Sequence, residues 1–328
     1  MLRNFHTNTV MQMAAIVVIT AALWIPAFVT PVPMPETGSY SPIFDLLHTW
    51  LSPLPRLASS IALIVVVASA ILFNIILADT HIIPNNTLLP TLLYIVAMSV
   101  NPHGQTLTPM VIVDFVLVIC THLLLLRGAL LTIPPEKTFG IMALVGMCTL
   151  VYMPTYSLII SFMLVVIIYR LYNWRDWVVM ILGFLAPYIA FATYLFITDN
   201  LVETWQEMIT EASRLNIEVD SSNTAANITN SYIIAVTLIS LLGSLAVANE
   251  RPVVYQKNMT AISLLMVAGI IIMCYSRIFP VDMQMLALPF ALQATLFFLH
   301  QTRSRRPWIW DIVFILTLIA AIVYNFIR

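Results

Sequence analysis

The sequence predicts an all-α fold, a polytopic transmembrane helical bundle, and two observations support this. Apolar residues make up 61% of the chain and charged residues 9%, whereas a soluble domain is about half apolar and about a quarter charged. The apolar residues also fall into runs, most of them long enough to cross the roughly 30 Å hydrocarbon core of a bilayer. We therefore expect one transmembrane domain over residues 1–328, with about eleven spans and a range of nine to twelve.

The charged residues predict how these spans are oriented. When successive loops are assigned to alternate sides, ten of the fourteen Lys and Arg residues lie on one side, and most acidic residues lie on the other. Positive charge marks the cytoplasmic side, so we expect a cytoplasmic N-terminus. The predicted spans are residues 10–29, 57–77, 88–100, 108–126, 138–152, 155–170, 177–198, 230–248, 258–276, 283–299 and 308–326.

Three of the predicted spans, 88–100, 138–152 and 155–170, are too short to cross a bilayer. A helix rises about 1.5 Å per residue, so the first of them covers only roughly 20 Å. A chain that turns at membrane depth must be buried in protein or line a wet cavity. We therefore expect a cavity open to the outer side, with its floor near Asn101, His103, Gln105, Tyr152 and Tyr156.

Asp114 is the only carboxylate deep inside a predicted span, since Asp311 lies in the first turn of the span 308–326. Carboxylates at membrane depth are costly, and they usually face a bundle interior or water. Two interpretations stay open: Asp114 lines the expected cavity, or it forms hydrogen bonds to neighbouring helices.

The first outer loop, residues 32–56, predicts a helix that lies flat on the membrane surface. Pro42 suits a first helical position and Ser41 an N-cap. The polar side places Asp45 about one turn from His48. It is either the solvated side of a surface helix or one wall of an outward-facing site. The apolar side comprises Ile43, Leu46, Leu47, Trp50, Leu51 and Leu54, and the polar side comprises Asp45, His48, Thr49 and Ser52.

A second amphipathic helix is predicted at the start of the polar loop 199–229. It is interpreted as an interfacial helix with a solvated acidic side, as a lid over the cavity, or as a docking surface for a periplasmic or membrane protein through residues 199–216. Its apolar stripe is Leu201, Val202, Trp205, Met208, Ile209, Ala212 and Leu215, and its polar side carries Glu203, Glu207, Glu211 and Arg214.

Two long runs carry a resemblance to known proteins: NTLLPTLLYIVAMSVNPHGQTLTPMVIVDFVLV and FGIMALVGMCTLVYMPTYSLIISFMLVVIIYRLYNWRDWVVMILGFLAPY. Together with the first outer loop, they resemble a family of uncharacterised multi-pass inner-membrane proteins of the Bacteroidetes, over most of residues 1–200. The chain also has a distant likeness to membrane glycosyltransferases of the type C fold, which use an acidic residue at the start of the first outer loop as base or metal ligand. Glu36 and Asp45 occupy that region here, without an adjacent acidic pair.

The first functional hypothesis is therefore a transferase that uses a polyprenyl-phosphate-linked sugar at the periplasmic face. Asp45 or Glu36 would be the general base, with His48 tuning or replacing it. Arg277 and Arg56 would hold the lipid phosphate. Further substrate contacts would come from residues lining the cavity, namely Asp114, His103 and Tyr152.

Two other hypotheses stay open. The chain is a non-catalytic membrane subunit of an envelope assembly, or a transporter or flippase with Asp114 as a proton or ion site. The net charge of −1 argues against a nucleic-acid partner, which leaves membrane lipid as the expected environment. The His and Cys residues show no metal-ligand spacing, so no cofactor is expected, apart from a divalent metal in the transferase case.

Overall fold

The computed structural model describes residues 9–35, 42–83, 87–100, 104–125, 135–168, 174–213, 253–275, 283–301 and 307–327, with three single positions between 231 and 238. Its regular structure is entirely helical within these residues, which confirms the all-α prediction. Twelve α-helices are defined: α1 Thr9–Val29, α2 Pro42–Leu51, α3 Pro55–Asp79, α4 Leu89–Ser99, α5 Pro109–Leu125, α6 Pro135–Val151, α7 Ser157–Ile168, α8 Trp174–Ile197, α9 Leu201–Ser213, α10 Val253–Tyr275, α11 Ala287–Gln301 and α12 Pro307–Ile327. The predicted span 230–248 lies outside the described residues, apart from the three single positions 231, 235 and 238.

Proline defines where many of these helices begin. The ring fixes φ near the helical value, and the missing N–H is one that the first turn leaves without a partner in any case. A local chemical signal therefore sets these boundaries, which is why they fall within a few residues of the predicted ones. The helices whose first residue is proline are α2, α3, α5, α6 and α12.

Three helices in the described part of the chain are long and apolar enough to cross a membrane. They are Val10–Val29, Pro55–Asp79 and Trp174–Ile197. Much of each surface is not covered by protein, and the buried share of the most apolar window is 22%, 44% and 17%, respectively. Apolar helices with so much uncovered surface associate with a membrane, because lipid can cover what protein does not.

The short helix α4 lies at the centre of the bundle. All eleven of its residues are buried, and it packs against α1, α3, α11 and α12. A helix that is apolar on every side is stable only when it is surrounded. The prediction of an unusually short apolar helix here is confirmed, and its length of about 16 Å is shorter than a bilayer core.

Hydrogen bonds fix α1 to this centre. The indole N–H of Trp24 donates to Ser99 Oγ at 2.9 Å, and the backbone N–H of Leu88 donates to Gln12 Oε1 at 2.7 Å. Gln105 Nε2 donates to the carbonyl of Leu23 at 2.7 Å. Because these polar groups are shielded from water, their pairing fixes the position of α1 along the central helix.

The helices α6 and α8 pack closely because two glycines lie where they cross. A Cβ on Gly146 would come within 2.6 Å of the carbonyl oxygen of Phe184, and one on Gly183 would come within 2.6 Å of that of Phe139. Small residues of this kind let helix backbones approach closely in membrane proteins. The pair is also linked by Tyr188, whose hydroxyl donates to Thr149 Oγ1 at 2.9 Å.

Candidate functional site

The amphipathic helix α2 packs against α3 and α6 through one side only. Phe44 is completely buried. Leu51, two turns further along on the same side of the helix, is half-buried. Ile43 is also half-buried against the core, whereas Trp50 is 80% exposed and Leu46 is 52% exposed. Asp45 lies between the two sides and is half-buried. The packing of Phe44 therefore sets the orientation of Asp45.

The turn between α8 and α9 brings α9 back beside the end of α8. Asn200 N–H donates to the carbonyl of Leu195 at 3.1 Å, and Asp199 N–H donates to that of Phe196 at 3.4 Å. Asp199 has a φ of 57°. This pattern is the Schellman motif, in which a left-handed residue reverses the chain after a helix. The carbonyl of Asn200 then accepts from Thr204 N–H at 3.1 Å, which begins α9.

A cavity of about 280 Å³ lies between α2, the end of α8 and α9. It contains two carboxylates from helices far apart in sequence, Asp45 of α2 and Glu207 of α9. Glu207 is exposed, so the cavity is accessible to solvent at that side. The other polar lining residues are Tyr194, Thr198, Asn200 and Thr204, and the apolar ones are Leu46, Phe191, Leu195 and Met208.

This lining suits a small polar ligand with several hydroxyl groups. The carboxylates accept hydrogen bonds, whereas the amide and hydroxyl groups both donate and accept them. Apolar surface from Phe191 and Met208 gives such a ligand something to stack against. The volume is near the lower end of the range for small-molecule sites, about 300 Å³. We define this group as the Asp45–Glu207 cavity.

The helix α9 faces this cavity with its polar side and with Met208. Met208 is 3% exposed, whereas Val202 is 69% exposed and Ile209 is 58% exposed. Most of the described apolar stripe of α9 is therefore not covered by protein, as expected for a helix whose apolar side lies in a lipid interface. Glu207 thus faces a cavity, although the sequence placed it only on an acidic surface.

Of the described residues that were predicted to form the site, the structure brings only Asp45 into this cavity. His48 is half-buried on the protein-facing side of α2, and Arg56 is exposed at the start of α3. Tyr152 is buried at 2% exposure. His48, Arg56, Asp114 and Tyr152 are not among the residues that line the Asp45–Glu207 cavity. Glu36, His103 and Arg277 lie outside the described residues.

Asp114 belongs to a different part of the molecule. It is completely buried, and its Oδ2 accepts a hydrogen bond of 2.6 Å from the Tyr94 hydroxyl. The other oxygen, Oδ1, has no hydrogen-bond partner within the described residues. Asp114 therefore links α5 to the central helix α4, which corresponds to the second of its two interpretations.

The described residues contain no group of three His, Cys, Asp or Glu side chains arranged to hold a metal ion. The Asp45–Glu207 cavity supplies two carboxylates, fewer than the three protein ligands typical of a catalytic zinc site. Two carboxylates suffice for general acid–base chemistry, and together with a substrate phosphate they also suit Mg²⁺.

Comparison of the chain with protein-family models, curated proteins and solved structures finds no match. The resemblances to a Bacteroidetes membrane-protein family and to type C glycosyltransferases therefore stay predictions. The functional argument rests on the geometry of the Asp45–Glu207 cavity.

Sequence reasoning missed most of the residues that line this cavity. Tyr194, Thr198 and Asn200 lie at the end of α8 or just after it. They line a cavity only because α2 lies near that end of the helix. One signal was present: Asp199–Asn200 follows a long apolar run and precedes an amphipathic one. Asp and Asn tolerate the left-handed conformation that reverses a chain, so a tight turn that folds α9 back was predictable.

Proposed function

We propose that the chain is a multi-pass inner-membrane transferase that uses a polyprenyl-phosphate-linked sugar, with the Asp45–Glu207 cavity as its site on the periplasmic side. The observation that supports this proposal is the meeting of two carboxylates in a cavity of sugar-compatible size. The cavity lies between two amphipathic helices, where a lipid-linked donor would present its headgroup.

In the proposed reaction, Asp45 accepts the proton from an acceptor hydroxyl. The acceptor oxygen forms a bond to the anomeric carbon of the donor sugar. The bond between that carbon and the phosphate oxygen breaks, and polyprenyl phosphate leaves. Glu207 and Thr204 would orient the sugar by accepting hydrogen bonds from its hydroxyl groups. Arg56 and Arg277 are the proposed contacts of the lipid phosphate.

The test measures release of polyprenyl phosphate from radiolabelled polyprenyl-phosphate sugars by the purified chain in lipid vesicles. Loss of a general base lowers such rates about 10²–10⁴-fold, so we expect Asp45→Asn to fall into that range and Glu207→Gln to lose activity as well. The matched control is Glu203→Gln, which changes an acid of α9 outside the cavity and should keep the wild-type rate. Wild-type release by both Asp45→Asn and Glu207→Gln overturns the proposal.

A second candidate, a non-catalytic subunit that docks a partner through α9, is favoured by a different observation. Val202, Trp205 and Ile209 leave an apolar strip of α9 without protein cover. The double variant Val202→Ser/Ile209→Ser distinguishes the two roles in the same experiments. If it abolishes co-purification of a stoichiometric partner while Asp45→Asn has no effect on any readout, docking is the function.

A further inference from the structure

The two amphipathic helices lie directly at the ends of two candidate membrane spans. The helix α2 ends at Leu51 and α3 begins at Pro55, whereas α8 ends at Ile197 and α9 begins at Leu201. Both α3 and α8 are candidate membrane spans. Because α2 and α9 line the same cavity, these two ends of the spans are close together. The structure therefore places α2 and α9 side by side at one end of the spans, where a membrane surface would lie.

Exposed apolar side chains continue from the spans onto both amphipathic helices. Each helix carries an exposed tryptophan, with Trp50 of α2 80% exposed and Trp205 of α9 42% exposed. Tryptophan is enriched where a bilayer meets water, because its ring is apolar and its N–H is polar. Lipid is therefore the cover that this surface fits, and we call the surface the α2–α9 platform. Its other exposed apolar residues include Leu46, Leu54, Phe196, Ile197, Val202 and Ile209.

The charge of α9 restricts which lipid surface fits. Helices that lie on a membrane are typically rich in Lys and Arg on their polar side, which attracts them to anionic lipid. Residues 201–213 instead contain three Glu and no Lys or Arg, and Glu203 and Glu207 are exposed. An anionic surface repels these carboxylates, whereas a zwitterionic surface leaves the apolar side of the helix to determine its binding.

We infer that the α2–α9 platform rests on a lipid surface without net negative charge, and that anionic lipid displaces α9 from it. Met208 is the only buried side chain among residues 201–210, so lipid provides most of the cover that holds α9 in place. The helix α9 forms one wall of the Asp45–Glu207 cavity, and its displacement opens that wall. The inference concerns the position of α9, and it holds whether or not the chain is a transferase.

The test measures how readily α9 leaves the lipid surface, from the rate at which an introduced cysteine reacts with a neutral, water-soluble maleimide–polyethylene glycol. Ile209→Cys and, separately, Ser52→Cys are made in a Cys274→Ser background, since Cys120 and Cys148 are buried. Each protein is reconstituted into vesicles of phosphatidylcholine alone or of phosphatidylcholine mixed with phosphatidylglycerol. Ser52 is exposed just after α2, so the rate at Ser52→Cys corrects for reagent access and for the orientation of the protein in the vesicle.

Anionic lipid should raise the corrected rate at Ile209→Cys about fivefold for each carboxylate that it repels. The additional change Glu203→Gln/Glu207→Gln should remove most of this increase. Salt at about 1 M should do the same, because it screens charges beyond about 3 Å. The matched control is Asp79→Asn, which removes an exposed carboxylate at the other end of α3 and should keep the increase.

Two results would overturn the inference. Equal corrected rates in the two kinds of vesicle overturn the selection against anionic lipid. A rate at Ile209→Cys that equals the rate at Ser52→Cys in phosphatidylcholine alone overturns lipid as the cover of α9, and it favours the protein partner of the second candidate function.

Discussion

Asp114 shows how a buried carboxyl group depends on its hydrogen-bond donor. It is completely buried between α4 and α5, and the Tyr94 hydroxyl is the donor that the structure places on its carboxyl group. A buried carboxyl group that loses its donor keeps the full cost of leaving water. The hydrogen bond from Tyr94 therefore offsets part of the cost of burying Asp114.

We expect Tyr94→Phe to lower the free energy of unfolding by about 1–3 kcal/mol, the cost of leaving a buried polar group without its partner. Denaturant unfolding of the purified protein in detergent micelles measures this change. Tyr188→Phe is the matched control. It removes a hydrogen bond from a half-buried hydroxyl to the neutral Thr149 hydroxyl, so its effect should be smaller.

A double variant separates the loss of the contact from the loss of the tyrosine hydroxyl. Tyr94→Phe/Asp114→Leu removes the buried carboxyl group together with its donor, and it should recover part of the stability lost in Tyr94→Phe. If the double variant is no more stable than Tyr94→Phe, the carboxyl group is not the source of the cost.

At the scale of elements, the closest packing is between α6 and α8. A Cβ at Gly146 would lie 2.6 Å from Phe184 O and 2.7 Å from Pro187 Cγ. The first neighbour is backbone and the second belongs to a rigid ring, so neither can move aside easily. The two helices would have to separate to accept even a methyl group.

Gly146→Ala should therefore lower the stability of the protein by about 1–3 kcal/mol, measured as the unfolding midpoint in detergent. Gly140→Ala is the control on the same helix, because a Cβ there meets nothing within 4 Å. Alanine is the better helix former, so the control should gain up to about 1 kcal/mol. Equal midpoints for the two variants would contradict the close approach of α6 and α8.

The sequence predicted where the helices lie better than what covers their sides. Proline and apolar runs are local signals, so the bounds of α2 and α9 could be predicted. The periodicity of α2 marked Trp50 and Leu46 as apolar and left out Phe44, which is the residue that the protein buries. Lipid and protein both cover apolar side chains, so periodicity alone cannot say which of the two covers a given face.

At the scale of the whole molecule, the site depended on contacts that no local pattern encodes. Asp45 and Glu207 belong to helices that are far apart in the sequence, yet both line the same cavity. Asp45 could be predicted as a candidate because it lies on the polar side of an amphipathic helix. In the sequence, Glu207 and Glu203 lie on the same polar side of α9 and cannot be told apart. The turn at Asp199 and the packing of Phe44 place Glu207, and not Glu203, at the cavity.

The N-terminal and C-terminal parts of the chain are joined by another such contact. Gln284, in the 3₁₀ turn before α11, accepts a hydrogen bond of 2.6 Å from the Thr108 hydroxyl and donates one of 3.3 Å to the carbonyl of Met98. These partners precede it by 176 and 186 residues. Gln284 is completely buried, so both bonds are shielded from water. Their loss would leave the Thr108 O–H without its acceptor and the Met98 carbonyl without this donor.

Gln284→Leu should therefore weaken the association of the two parts of the chain. The experiment inserts a protease site within residues 217–229, cleaves the purified protein, and follows the separation of the two fragments by size-exclusion chromatography at increasing denaturant. The cleaved wild-type fragments should stay together to a higher denaturant concentration than the cleaved Gln284→Leu fragments. The difference should be equivalent to about 1–3 kcal/mol. The control is Thr295→Val, which removes a buried hydrogen bond to the Ala291 carbonyl within the C-terminal part and should lower stability without favouring separation. Separation at the same concentration in Gln284→Leu and the wild type would show that apolar packing alone holds the two parts together.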